Sequence, residues 1–215
     1  MSGSCCDCTP EPANGDRTFR VVLCAALVIN LAMFVVEIGG SIMAGSSALQ
    51  ADALDFLADA ANYGISLSVA GLALAWRARA ALIKGATMGL FGLGVLVSAG
   101  CHAIAGTVPH AELVGLIGVA ALVANGVVAA ALYAYRSGDS NMRSIWLCSR
   151  NDVIGNLAVL LAAIGVVGTG SGWPDLLIAL VMAGLGMFGA RQIIRQAWSE
   201  LSVPGRRPTH SAAAL

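Results

Sequence analysis

The sequence predicts an all-α membrane protein with six transmembrane helices and both termini in the cytoplasm. Hydrophobic residues make up 58% of the 215 residues and charged residues only 11%, whereas soluble domains carry about 25% charge. Six apolar segments follow one another, each near the length of about 20 residues that crosses a bilayer. This composition favours a multi-pass protein in contact with lipid, and we expect no nucleic-acid partner.

The six predicted helices are separated by turn-forming or basic segments. They are Phe19–Ala44, Ser47–Trp76, Ala81–Ala105, Ala111–Tyr135, Ile145–Val167 and Trp173–Ile194. Residues 1–18 are polar and rich in Pro, Gly, Asp and Cys, so we expect a disordered cytoplasmic tail. The predicted organisation is therefore this tail, a six-helix domain of residues 19–200 and a short cytoplasmic tail of residues 201–215.

The basic residues alternate between the two sides of the predicted bundle. The short connections at residues 45–46, 106–110 and 168–172 contain no Lys or Arg. The opposite side carries Arg17, Arg20, Arg77, Arg79, Lys84, Arg136, Arg143, Arg191, Arg195, Arg206 and Arg207. By the positive-inside rule, the basic side is cytoplasmic. We expect an integral protein of the cell (inner) membrane.

Three carboxylates interrupt the second apolar segment. A charge at the centre of a bilayer costs at least about 2.5–3.5 kcal/mol, so acids in this position are candidates for an ion or proton site. Asp55 and Asp59 are four residues apart, and Asp52 and Asp59 are seven apart. At 3.6 residues per turn, all three share one face of a helix.

The fifth segment repeats the four-residue spacing with Cys148 and Asp152. If the two helices pack with these faces together, Asp55, Asp59, Cys148 and Asp152 supply three carboxylates and a thiolate. Such a set suits a divalent transition metal, most often Zn²⁺. The alternative for Cys148 is a buried core thiol.

The segment Ser47–Asp59, the spacing of Cys148 and Asp152, and the sequence Glu37-Ile38-Gly39-Gly40 resemble the cation diffusion facilitator family of metal/proton antiporters. The resemblance covers nearly all of residues 19–200. It implies a ligand pair in each of the second and fifth helices and a homodimer. Cys148 stands where His or Asp is usual in that family. With about fifteen residues after position 200, we expect a short form without the cytoplasmic C-terminal domain.

Four other polar residues of the helices are candidates for supporting roles. Glu37 can relay protons, orient a metal ligand or hydrogen-bond between helices. Asn62 and Asn156 are typical of hydrogen bonds between transmembrane helices, with metal ligation as the alternative. Asp52 is an entrance residue or a helix cap that the helix dipole stabilises, with direct metal ligation as the alternative.

A cluster of thiols lies in the N-terminal tail. Cys5, Cys6 and Cys8 can capture a soft or borderline metal ion in a reducing cytosol. The alternative is a tail without a function in metal handling.

The predicted function is export of a divalent metal cation in exchange for protons. Metal binding requires deprotonated ligands and therefore releases protons, which couples the two fluxes once access alternates between the two sides. Zn²⁺ is the first candidate, and Co²⁺, Cd²⁺, Fe²⁺ and Mn²⁺ remain open. We expect no enzymatic activity and no resident cofactor. The alternatives are a membrane-bound metal sensor and an intramembrane enzyme that uses paired aspartates.

Overall fold

A computed structural model describes residues 17–68, 74–136 and 140–202. These residues form six α-helices and a short 3₁₀ turn at Tyr133–Tyr135. The helices are α1 (Arg17–Ala44), α2 (Ser47–Ser68), α3 (Leu74–Ala105), α4 (Ala111–Leu132), α5 (Ser140–Thr169) and α6 (Trp173–Ser202). No strand is found within the described ranges, and the all-α prediction is confirmed.

The boundary between the second and third helices differs from the prediction. Trp76 was expected to end the second helix, but it lies in α3, which begins at Leu74. Alanine and arginine are strong helix formers, so the Ala- and Arg-rich run around Arg77 continues a helix instead of interrupting it. Lys84 consequently lies ten residues inside α3 and is buried, while its assignment to the cytoplasmic side of the bundle stays a prediction.

Five of the six described helices are long and apolar enough to cross a membrane, namely α1, α3, α4, α5 and α6. The second helix does not meet the same measure, and it carries the three carboxylates. The prediction of membrane-spanning helices is thus confirmed for five helices, whereas the spanning of α2 stays a prediction. The location of both termini in the cytoplasm also stays a prediction.

The packing shields α2 from the surroundings of the bundle. It contacts α1, α3, α5 and α6, and none of the large hydrophobic side chains described in α2 is strongly exposed. The other helices expose many such side chains, including Val35, Leu90 and Leu185. An apolar exterior is what lipid solvates, while polar groups in a membrane protein face the bundle interior. The helix that carries the three carboxylates is therefore enclosed by four of the other helices.

Three turns meet at one end of the bundle, which we name the turn end. Gly45, Gly106 and Gly170 each have a φ of 62–65°, a conformation that glycine adopts without steric cost. The turns contact one another, because His110 N–H donates to the carbonyl of Ala44 over 2.9 Å. A Cβ at Gly172 would collide with the carbonyl oxygen of Thr107.

Asp175 joins α6 to the first turn of α2 at this end. Its carboxylate is 1% exposed and accepts hydrogen bonds from the Ser46 hydroxyl at 2.5 Å, the Ser47 N–H at 2.8 Å and the Ala48 N–H at 3.3 Å. The first N–H groups of a helix have no partner within the helix. Asp175 therefore provides acceptors for the first N–H groups of α2 from another helix. These hydrogen bonds hold the first turn of α2 against α6.

Candidate metal site

The carboxylates of α2 face the carboxylate of α5. The carboxyl groups of Asp59 and Asp152 lie within hydrogen-bonding distance of each other, and Asp55 interacts electrostatically with both. We name Asp55, Asp59 and Asp152 the central carboxylates. Asp59 is buried, whereas Asp55 and Asp152 are half-buried. The predicted approach of the two aspartate-bearing helix faces is thus present in the structure.

Tyr63 and Ser149 hold Asp59 in place. The Tyr63 hydroxyl donates to Asp59 Oδ2 over 3.0 Å and lies 2.8 Å from the Ser149 hydroxyl. A phenol has a single proton to donate, so the Ser149 hydroxyl is the donor to Tyr63. The resulting chain of donors runs from α5 into α2 and ends on a carboxylate, whose lone pairs it orients.

Lys84 places a positive charge beside the same carboxylates. Its ammonium group donates to Asn62 Oδ1 and interacts electrostatically with Asp59. Asn62 lies three residues after Asp59 and therefore near it on the helix surface. The predicted interhelical hydrogen bonding of Asn62 is confirmed, with Lys84 of α3 as its partner.

A second group of polar residues lies nearer the turn end. Asn156 donates to both carboxylate oxygens of Asp52, over 2.9 and 2.8 Å, and its own Oδ1 accepts from Asn125 over 3.0 Å. Glu37 lies within hydrogen-bonding distance of Asp52. Asp52 does not cap its helix, because it lies five residues inside α2 and the hydroxyl of Ser46, just before the helix, accepts from the Leu49 N–H over 3.1 Å. The expected interhelical hydrogen bonding of Asn156 is confirmed.

Three buried carboxylate oxygens have no hydrogen-bond partner among the described residues. They are both oxygens of Glu37 and Oδ2 of Asp152. A buried charge without a partner costs several kcal/mol. A folded protein therefore keeps such a carboxylate where a proton or a cation binds to it. The lack of donors at these three oxygens therefore indicates positions where a proton or a metal ion binds.

The predicted four-ligand set is not assembled into a ready cage. Cys148 is buried on α5, one turn before Asp152, but within the described residues no group of three or more His, Cys, Asp or Glu side chains stands in a metal-ligating arrangement. The ligand roles of Asp55, Asp59, Cys148 and Asp152 stay predictions. The thiols of Cys5, Cys6 and Cys8 lie outside the described residues.

A protein-family model matches most of the chain. The model, described as the cation efflux transmembrane domain, matches residues 23–202. The chain belongs to the cation efflux family. A comparison with curated proteins gives no match.

Membership in the cation efflux family makes the chain a membrane transporter of metal cations. The matched region contains all six helices almost completely and includes every carboxylate of the site. Members of the family are transporters, which favours transport over the intramembrane enzyme considered from the sequence.

Sequence reasoning missed five residues that complete the polar interior. Tyr63, Lys84, Asn125, Ser149 and Asp175 are all buried, and each interacts with another helix. For Tyr63 a signal was available, because it follows Asp59 by four residues and thus shares its face. The other four depend on how the helices pack.

Proposed function

We propose that this member of the cation efflux family exports a divalent transition metal, Zn²⁺ in the first place, from the cytoplasm in exchange for protons. The observation that carries the proposal is the approach of Asp59 and Asp152 from two different helices inside an apolar bundle. One oxygen of Asp152 has no partner there. Two facing carboxylates at hydrogen-bonding distance need a proton or a cation between them.

The charges of the site match one divalent cation. The three central carboxylates carry a formal charge of −3 when ionised, and the neighbouring Lys84 supplies +1. The remaining −2 is balanced by one divalent metal ion or by two protons. Because metal ligands must be deprotonated, a metal ion and protons compete for these oxygens, and this competition exchanges one cargo for the other.

The finer features of the proposal rest on chemistry and on the charge pattern of the sequence. Cys148 would add a thiolate that favours Zn²⁺ or Cd²⁺, while the carboxylates alone also suit Co²⁺, Fe²⁺ and Mn²⁺. We propose the inner membrane as the location, cytoplasmic termini, and a homodimer as the assembly.

The test is metal flux in proteoliposomes with an imposed proton gradient. Wild-type protein is expected to move Zn²⁺ and protons in opposite directions. Asp59→Asn keeps the size of the side chain but removes a ligand, and it is expected to reduce both fluxes by about 100-fold or more, since loss of an outer partner of a ligand alone costs about 10–100-fold.

Glu112→Gln is the matched control. It makes the same change from carboxylate to amide at an exposed residue of α4, so both fluxes should stay at the wild-type level. Wild-type protein that moves neither Zn²⁺ nor Co²⁺ nor Cd²⁺ would contradict the proposal. A membrane-bound sensor would be favoured if, in cells, replacing Cys5, Cys6 and Cys8 by Ser abolished the response to metal and Asp59→Asn did not.

A further inference from the structure

We infer that Glu37 and Asp52 form a second binding station for a divalent cation, separate from the central carboxylates and nearer the turn end. Glu37 is 0% exposed and Asp52 1% exposed. Their carboxyl groups lie within hydrogen-bonding distance of each other. The pair thus places two carboxylates from two helices side by side in the interior.

The second observation is that, within the described part of the chain, no N–H or O–H group donates a hydrogen bond to Glu37. Neither of its carboxylate oxygens has a donor among the described residues. The side-chain amide of Asn156 donates to the two carboxylate oxygens of Asp52. The carboxylate oxygens of Glu37 are therefore available to bind an ion, and they lie beside the carboxyl group of Asp52.

The formal charge of the Glu37–Asp52 pair is −2 when both groups are ionised. Among the described residues, the side chain that donates hydrogen bonds to the pair is the neutral amide of Asn156, whereas the central carboxylates have the ammonium group of Lys84 beside them. A divalent cation neutralises this charge completely. Because all donors are oxygen atoms, the pair should accept hard and borderline ions such as Mn²⁺ and Zn²⁺.

The position of the pair gives it a place in transport. Asp52 lies five residues from the start of α2 and Asp59 twelve, which at 1.5 Å per residue is about 7 and 18 Å from the turn end. An ion that moved from the central carboxylates toward the turn end would pass the level of Asp52 along α2. This role rests on the proposed function, whereas the binding of the ion does not.

The test counts bound Zn²⁺ by equilibrium dialysis and calorimetry on the full chain in lipid nanodiscs. Cys5, Cys6 and Cys8 are replaced by Ser throughout, so that the tail thiols do not contribute. We expect this parent to bind two ions per chain. Glu37→Gln should lose one ion and keep the other, Asp152→Asn should lose the other one, and the control Glu112→Gln should keep both.

Glu37→Asp separates loss of the ligand from loss of the fold. It retains the carboxylate on a shorter side chain and should keep the second ion, at an affinity weaker by about 10-fold. A parent that binds a single ion would overturn the inference, as would a Glu37→Gln variant that binds as much Zn²⁺ as the parent. Glu37 and Asp52 would then share only a proton.

Loss of both ions in Glu37→Gln, with unchanged elution and melting temperature, would also overturn the inference, because the pair would then belong to the central site. Flux measurements separate this failure from that of the proposed function. A parent that transports Zn²⁺ but binds one ion keeps the proposed function and loses the second station. A parent that binds two ions and transports none does the reverse.

Discussion

Buried carboxylates occur in two regions of this bundle, and the two regions differ in the hydrogen-bond donors around the carboxylate oxygens. At the turn end, Asp175 accepts hydrogen bonds from a hydroxyl and two backbone N–H groups. In the interior, both oxygens of Glu37 and one oxygen of Asp152 have no donor within the described residues. Asp175 and Glu37 are almost equally buried, but only Asp175 has hydrogen-bond donors among the described residues.

This difference distinguishes an acid that stabilises the fold from acids whose oxygens are available to bind an ion. A carboxylate that is saturated by donors, like Asp175, has few lone pairs left for a metal ion and contributes to stability. A buried carboxylate without donors lowers stability but has its oxygens available for an ion. Burial alone does not identify a functional acid, whereas burial without partners does.

The largest effect is expected from exchanging the carboxylate of Asp152 for an amide. Asp152→Asn should reduce Zn²⁺ flux by about 100-fold or more, as for other losses at a metal ligand, while the melting temperature in detergent stays the same or rises because the repulsion between the Asp152 and Asp59 carboxylates is removed. Proteoliposome flux and differential scanning fluorimetry on the same preparation check both parts. A large drop in melting temperature would show that Asp152 is as structural as Asp175.

Asp175→Ala should give the opposite profile. It leaves the N–H groups of Ser47 and Ala48 without their acceptor, and loss of a helix cap typically costs about 1 kcal/mol. We expect a lower melting temperature and unchanged Zn²⁺ affinity in the folded fraction, with Glu112→Gln as the control. A loss of affinity without a loss of stability would remove the distinction between the two regions.

Tyr63→Phe tests the donor chain that ends on Asp59. Removing the hydroxyl leaves the packing nearly unchanged but deletes the hydrogen bonds to Asp59 and Ser149. Loss of such an outer partner should weaken Zn²⁺ binding by about 10-fold, as measured by calorimetry. Unchanged affinity would mean that Tyr63 serves only to fill the core.

The smallest effect is expected from Cys148→Ser, which decides between a ligand and a core thiol. If the thiolate binds the ion, the preference for Cd²⁺ over Mn²⁺ should fall by about 5-fold, since thiolates select softer ions. Competition between the two ions in the flux assay measures this preference. An unchanged preference would assign Cys148 to the core.

The sequence was sufficient for the all-α fold and for five spans, because hydropathy and glycine turns are local signals. It also placed Asp52, Asp55 and Asp59 on one face, since helical periodicity is a property of one segment. It could not reveal that Lys84 enters the site or that Asp175 caps α2. The hydrogen bond of Lys84 joins residues that are 22 positions apart, and that of Asp175 joins residues that are 128 positions apart. Both depend on how the helices pack against one another.

The hydrogen bonds to Asp175 make the first turn of α2 a fixed point about which the helix can tilt. Because its first turn is tied to α6, a tilt of α2 has the least amplitude at the turn end and the greatest at Ser68. For a tilt of about 10°, a helix that rises 1.5 Å per residue moves Asp52 by about 1 Å, Asp59 by about 3 Å and its far end by about 5 Å. Such a lever would draw Asp59 away from Asp152 while leaving Asp52 beside Glu37, so one rigid motion could open one ion position and preserve the other.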